Sequence, residues 1–212
     1  MLGIKANGVY SASAFPDVVF SGKKATPPKK KSVFETVPFM SGHYDFTEVY
    51  GAAAYESRSV VYELTAANED AAALESTVSE VVQWLYGIAD TEIYDDMASG
   101  YHYLGTCGEV GVSWSGSGRI AKITATITCY PFRLSNEATT MTLAAGTYTL
   151  DNGGFPATVT ATPAAGAVTV TIGSKAQAVS TETVLDTKLP TGKAIVTITN
   201  GTATLSWREE VI

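Results

Sequence analysis

Apolar and polar residues alternate most cleanly between Ile120 and Phe132. Ile123, Ala125, Ile127 and Cys129 fall on one face, and Thr124, Thr126, Thr128 and Tyr130 on the other, which predicts a strand with one buried face. Residues 55–65 have the same two-residue period, with Val60, Tyr62 and Leu64 on a common face. Residues 101–112 are aromatic and β-branched in part. Between these runs the period becomes helical, because Leu74, Val78, Val81, Val82 and Leu85 recur at the spacing of one helix face over about residues 69–86. Asn68 is the expected N-cap, Glu69 and Asp70 suit the positive end of the helix dipole, and Gly87 is the expected stop. Asn7-Gly8 predicts a tight hairpin turn, and Ser115-Gly116-Ser117-Gly118 a hairpin loop.

From about residue 138 the pattern changes. Thr, Ala and Gly dominate, and residues 146–150, 157–162, 167–172, 183–187 and 193–207 read as short strands between turn signals. The last run predicts a hairpin about Asn200-Gly201 in which Ile198 faces Ala203, Val196 faces Leu205 and Ala194 faces Trp207. The expected fold is an α+β N-terminal domain over residues 1–137, antiparallel with one packed helix, followed by a small all-β sandwich over residues 138–212.

Composition narrows the function classes. Hydrophobic residues make up 45% of the 212, enough for a real core, while charged residues are only 17%. The net charge of -7 argues against a general nucleic-acid binder. Charge is also segregated. Residues 1–34 hold six lysines and one aspartate (net +5), whereas residues 35–138 hold four basic and fifteen acidic residues (net -11). Lys23-Lys24 and Lys29-Lys30-Lys31 flank paired prolines and read as an exposed loop or arm. A basic arm on an acidic body suits contacts between copies of one chain. Cys107 and Cys129 are the only cysteines and read as buried free thiols. Residues 1–10 lack the apolar core of a secretion signal and no apolar run reaches membrane-spanning length, so a soluble protein made in a reducing cytoplasm is expected.

Residues 39–64 read Phe39-Met40-Ser41-Gly42-His43-Tyr44-Asp45-Phe46, then Gly51, Tyr55 and Arg58, then an apolar strand. The helix ends Trp84-Leu85-Tyr86-Gly87, an acidic loop precedes Tyr101-His102-Tyr103-Leu104, and Thr128-Cys129-Tyr130-Pro131-Phe132 closes the region. In order and spacing this resembles the distal tail protein family of long-tailed, non-contractile bacteriophages. The resemblance implies a six-membered ring built by the first domain at the distal end of the tail, with a galectin-like sandwich outside it. It implies a virion protein of the tail tip or baseplate, assembled in the host cytoplasm. The partners it implies are further copies of the chain, the tail tube protein, the hub protein of the tip, and receptor-binding or tape-measure proteins, with DNA passing through the ring. The sandwich here is shorter than a full galectin fold.

No catalytic constellation accompanies these features. His43 and His102 are the only histidines, and although His102 lies near Asp95 and Asp96, no nucleophile sits at an informative spacing. Glu92, Asp95 and Asp96 lack a calcium-loop pattern and read as a solvated acidic loop. Gly116-Ser117-Gly118 lies between strands, as a hairpin does and a phosphate loop does not. Asn200-Gly201-Thr202 matches a glycosylation acceptor but is sufficiently read as a turn. Tyr148, Phe155 and Trp207 could make a sugar platform, but Trp207 is expected in the core. The expected protein is therefore a structural one, not an enzyme, with no cofactor or metal and no membrane contact. Lys23, Lys24, Lys29, Lys30 and Lys31 are its candidate interface residues. The alternative reading is a tail accessory module that binds host-surface carbohydrate.

Overall fold

In a computed structural model, the described residues are 2–36, 38–39, 41–47 and 53–212. Met40 and Gly51 of the family-like pattern lie outside them. The chain is mostly antiparallel β-structure and divides into two compact units, Met1–Phe132 with Ile212, and Arg133–Val211.

The first unit runs β1 (Ile4–Ala6), β2 (Val9–Tyr10), α1 (Ser11–Ala14), β3 (Val18–Ala25), β4 (Phe34–Glu35), β5 (Tyr44–Asp45), β6 (Arg58–Ala67), α2 (Ala71–Tyr86), β7 (Thr91–Asp95), β8 (Tyr101–Ser115) and β9 (Ile120–Cys129). Seven of these strands form one sheet in the order β2-β1-β7-β8-β9-β6-β3. Asn7 and Gly8 both take positive φ (52° and 76°), as the two-residue turn from β1 to β2 requires. α2 presents Leu74, Val78, Val81 and Leu85 to the core, where they meet Val60, Tyr62, Leu64, Ile123 and Ile127 of the sheet. Burying each such side chain contributes about 1.5–3 kcal/mol. The α2 N-cap is Asp70, whose carboxylate accepts from the Ala72 N–H at 2.9 Å. Asn68, the expected cap, instead accepts from the Asp70 N–H, one step further out.

Two further expectations are corrected in this unit. The basic segment does not begin as a loop, since Lys23 and Lys24 lie in β3. A β-bulge between Phe20 and Gly22 makes this possible. In a regular strand Phe20 and Lys23, three apart, would point to opposite faces. The extra residue re-aims Lys23, so that Phe20 opposes Leu64 and Lys23 opposes Tyr62, both core residues. The acidic loop is likewise part strand: Thr91–Asp95 forms β7, pairing β1 and β8, and Asp95 is buried.

The second unit comprises β10 (Arg133–Ser135), β11 (Thr139–Leu143), β12 (Gly146–Asn152), β13 (Val159–Pro163), β14 (Val168–Ile172), β15 (Lys175–Val179), β16 (Thr183–Val184), β17 (Gly192–Thr199), β18 (Ala203–Trp207) and β19 (Glu210–Val211). Two four-stranded sheets, β11-β18-β13-β16 and β12-β17-β14-β15, enclose one core. The expected hairpin across Asn200-Gly201 is not formed. β17 pairs β12 and β14 in one sheet, while β18 pairs β11 and β13 in the other. The turn is an arch between the two sheets. Ala194, Val196 and Ile198 face Ala203, Leu205 and Trp207 through the core rather than side by side. On the outer faces the threonines of the two strands pair within their own sheets, Thr204 with Thr142 at 2.9 Å and Thr197 with Thr147 at 3.1 Å.

Candidate functional site

Among the described residues, the first unit buries two charged side chains, Arg58 and Asp95. Lys23 Nζ lies 2.9 Å from Asp95 Oδ1 and 3.1 Å from Oδ2. The Tyr62 hydroxyl donates to Asp95 Oδ2 at 3.0 Å, and the Met97 N–H to Oδ1 at 3.0 Å. Each carboxylate oxygen thus has at least two donors, which is what keeps a buried charge tolerable. Burial, and then the adjacent Asp95 charge, push the Tyr62 hydroxyl far above its ordinary pKa. Lys23 and Arg58 both lie over the Tyr103 ring, at 5.5 and 5.3 Å from its centre. This network ties β3, β6, β7 and β8 together; Arg58 and Asp95 in it were not foreseen as buried. Burial also raises the thiols of Cys107 and Cys129, the latter to about 12, and both cysteines are free.

The two histidines are far apart in character. His102 is buried, its ring 4.8 Å from that of Tyr94 and its Nε2 3.7 Å from Glu92. His43 packs edge-on against Phe34 at 4.3 Å. Asp96 accepts from the Gly3 N–H and the Tyr10 hydroxyl at 2.7 and 2.6 Å. Glu92, Asp95 and Asp96 therefore serve three different neighbourhoods. Among the described residues no group of three or more His, Cys, Asp or Glu is placed to hold a metal ion, and no helix is long and apolar enough to cross a membrane.

The five candidate lysines divide into two groups. Lys23 is committed to Asp95, with its side chain 13% exposed, whereas Lys24 is exposed on β3. Lys29, Lys30 and Lys31 are exposed and lie along an antiparallel ribbon. The Glu56 N–H donates to Lys29 O, Lys30 bridges Tyr55, and the Lys31 N–H donates to Ala54 O. Further along, β4 pairs β5. This ribbon exposes Val33, Phe34, Tyr44 and Phe46 together with its lysines. At Asp45, hydrogen bonds from the Thr47 hydroxyl and N–H hold the carboxyl below its ordinary pKa, with Lys30 adding to the effect.

A second exposed apolar surface went unpredicted. The bulge between Cys107 and Glu109 puts Val110, Val112 and Trp114 opposite Ala125, Ile123 and Ala121. The core face of the β8–β9 hairpin therefore continues outward past the helix, leaving Val112 and Trp114 exposed, while Ile120, next to Ala121, is exposed on the opposite face of the hairpin. The only sequence signal was a tryptophan near a glycine-rich turn. In the second unit Trp207 is buried, and Tyr148 packs on the same core with its hydroxyl donating to Ala144 O at 3.2 Å.

Neither a protein-family model nor a curated protein matches the chain. Among solved structures it is similar to the crystal structure of the Dit protein (gp 19.1) of SPP1, described as a paradigm of the hub adsorption apparatus in phages that infect Gram-positive bacteria. The match covers 100% of both chains with a TM-score of 0.75 and 12% sequence identity. At that identity the likeness is one of fold, and it extends over both units: the chain is built on the fold of a phage Dit protein.

Proposed function

We propose that the chain is a structural protein of a phage tail, forming a homo-oligomeric ring, six-fold, that joins the distal end of the tail tube to the tip and serves as a docking platform. The observation that carries this reading is the full-length fold likeness to the SPP1 hub protein. The surface supports it. A ribbon bearing three lysines and four exposed apolar side chains, and a hairpin end bearing Val112, Trp114 and Ile120, are the groups that repeated contacts between identical subunits would cover. In this reading the protein is not an enzyme, its neighbours are the tail tube and tip proteins, and DNA passes through the lumen. Acidic residues facing that lumen would keep the polyanion from adhering. Negative-stain electron microscopy of the purified protein tests the proposal. Rings with a central opening are expected, and a field of isolated particles of subunit size would refute it.

A further inference from the structure

The two exposed apolar surfaces of the first unit lie at opposite ends of one strand. β6 begins at Arg58, beside the lysine ribbon, where the Thr26 N–H donates to Ser59 O and Lys30 bridges Tyr55. It ends at Ala67, which pairs Ile120 at the hairpin end, and the Asn68 N–H that follows donates to Arg119 O. The ten residues of β6 set these ends about 30 Å apart. Within one copy the two surfaces do not cover each other, since Val33, Phe34, Tyr44 and Phe46 on the ribbon and Val112 and Trp114 on the hairpin are all exposed. Each surface also has charge beside it. Of the ribbon lysines, Lys30 is drawn to Asp45, while Lys29 and Lys31 are in no ion pair among the described residues. At the other end α2 starts, with Glu69, Asp70 and Glu75 exposed. Residues 66–86 and 112–121 together hold four carboxylates and one basic residue, Arg119.

We infer that the lysine ribbon of one copy docks on the Val112–Trp114 shelf of the next, so that subunits join head to tail. The occupant of the shelf is a second copy of this chain because the ribbon supplies both complements it needs. Phe34, Tyr44 and Phe46 can cover Val112 and Trp114, and Lys29 and Lys31 can face the carboxylates at the start of α2. Pairing like with like fails on the same grounds. Ribbon on ribbon sets the lysines against each other, and shelf on shelf does the same for Glu69, Asp70 and Glu75. A contact between two different surfaces of one chain is heterologous, and repeated about an axis it closes a ring. Because donor and acceptor surfaces lie at opposite ends of β6, every copy uses both, one toward each neighbour. This inference rests on the ring reading and gives that ring its polarity.

The test mixes two full-length variants and reads their masses by sedimentation velocity. Phe34→Ser/Phe46→Ser removes the ribbon surface and keeps the shelf, while Val112→Ser/Trp114→Ser removes the shelf and keeps the ribbon. Each variant alone is expected to be a monomer. Their mixture is expected to form a 1:1 dimer and nothing larger, because it contains one intact pair of surfaces. That dimer also shows that each variant has kept its other surface folded. A photocross-linking arm works on otherwise unaltered protein. Phe34→p-benzoylphenylalanine should link to residues 110–115 of another copy. Either variant forming rings alone, or cross-links that join ribbon to ribbon, overturns the head-to-tail contact. So does a mixture without a dimer together with no link from ribbon to hairpin. In all three cases rings of the unaltered protein leave the ring reading standing, whereas an unaltered protein that stays monomeric refutes that reading and this inference together.

Discussion

At the scale of single residues, the most consequential group is the Asp95 carboxylate, fully buried and held by Lys23, Tyr62 and the Met97 N–H. Removing it leaves an ammonium and a phenol without their acceptor inside the fold. Asp95→Ala is expected to cost about 3 kcal/mol, measured by urea unfolding, because breaking one member of a buried pair strands the other. A loss below about 1 kcal/mol would mean that water already screens the pair. Cys129 offers a second check. Its thiol loses a proton near pH 9 in the unfolded chain and near 12 in the folded one. Between these values the unfolded state has given up the proton and the folded state keeps it, so stability is complete below pH 9 and falls as pH rises toward 12. Cys129→Ala should flatten that part of the stability curve. A slope identical to that of the unaltered protein would assign the alkaline loss to other groups, such as Tyr62. Little of this residue-scale detail was legible in advance. The inward turn of Lys23 depends on a bulge at Ser21 and on a carboxylate 72 positions away, and neither leaves a local pattern.

At the scale of elements, periodicity served well where one face is buried along an unbroken run, as in β6, α2 and β9. It failed where the same pattern fits two arrangements. Ala194–Ile198 and Ala203–Trp207 alternate identically whether they lie side by side in one sheet or face each other across a sandwich, so the inward face was legible and the pairing partner was not. β3 was missed because two lysines and a bulge interrupt its alternation, and β7 because acidic residues mask Ile93. The lysine-bearing ribbon yields the prediction at this scale. Changing Lys29, Lys30 and Lys31 to Glu replaces attraction toward an acidic neighbour by repulsion. Each exposed pair is worth about 1 kcal/mol or less, but a ring repeats the contact at every interface. Sedimentation of the triple variant should show ring dissociation that depends steeply on salt. Assembly equal to the unaltered protein at low salt would give the ribbon another role. Lys23 is not part of this test, because its charge is already spent on Asp95.

At the scale of the whole molecule, each of the two units has its own hydrophobic core. The ring contacts proposed above, the ribbon and the β8–β9 hairpin, all belong to the first unit. Residues 1–135 expressed alone are therefore expected to fold and to assemble. A fragment that stays unfolded while the full chain is well behaved would show that the second unit is required for the first. Native mass spectrometry of the full chain at high protein concentration and low salt reads the ring itself. A dominant species of six times the 22.3 kDa subunit mass is expected, dissociating as salt is raised. A spectrum containing only the 22.3 kDa monomer under those conditions would contradict it.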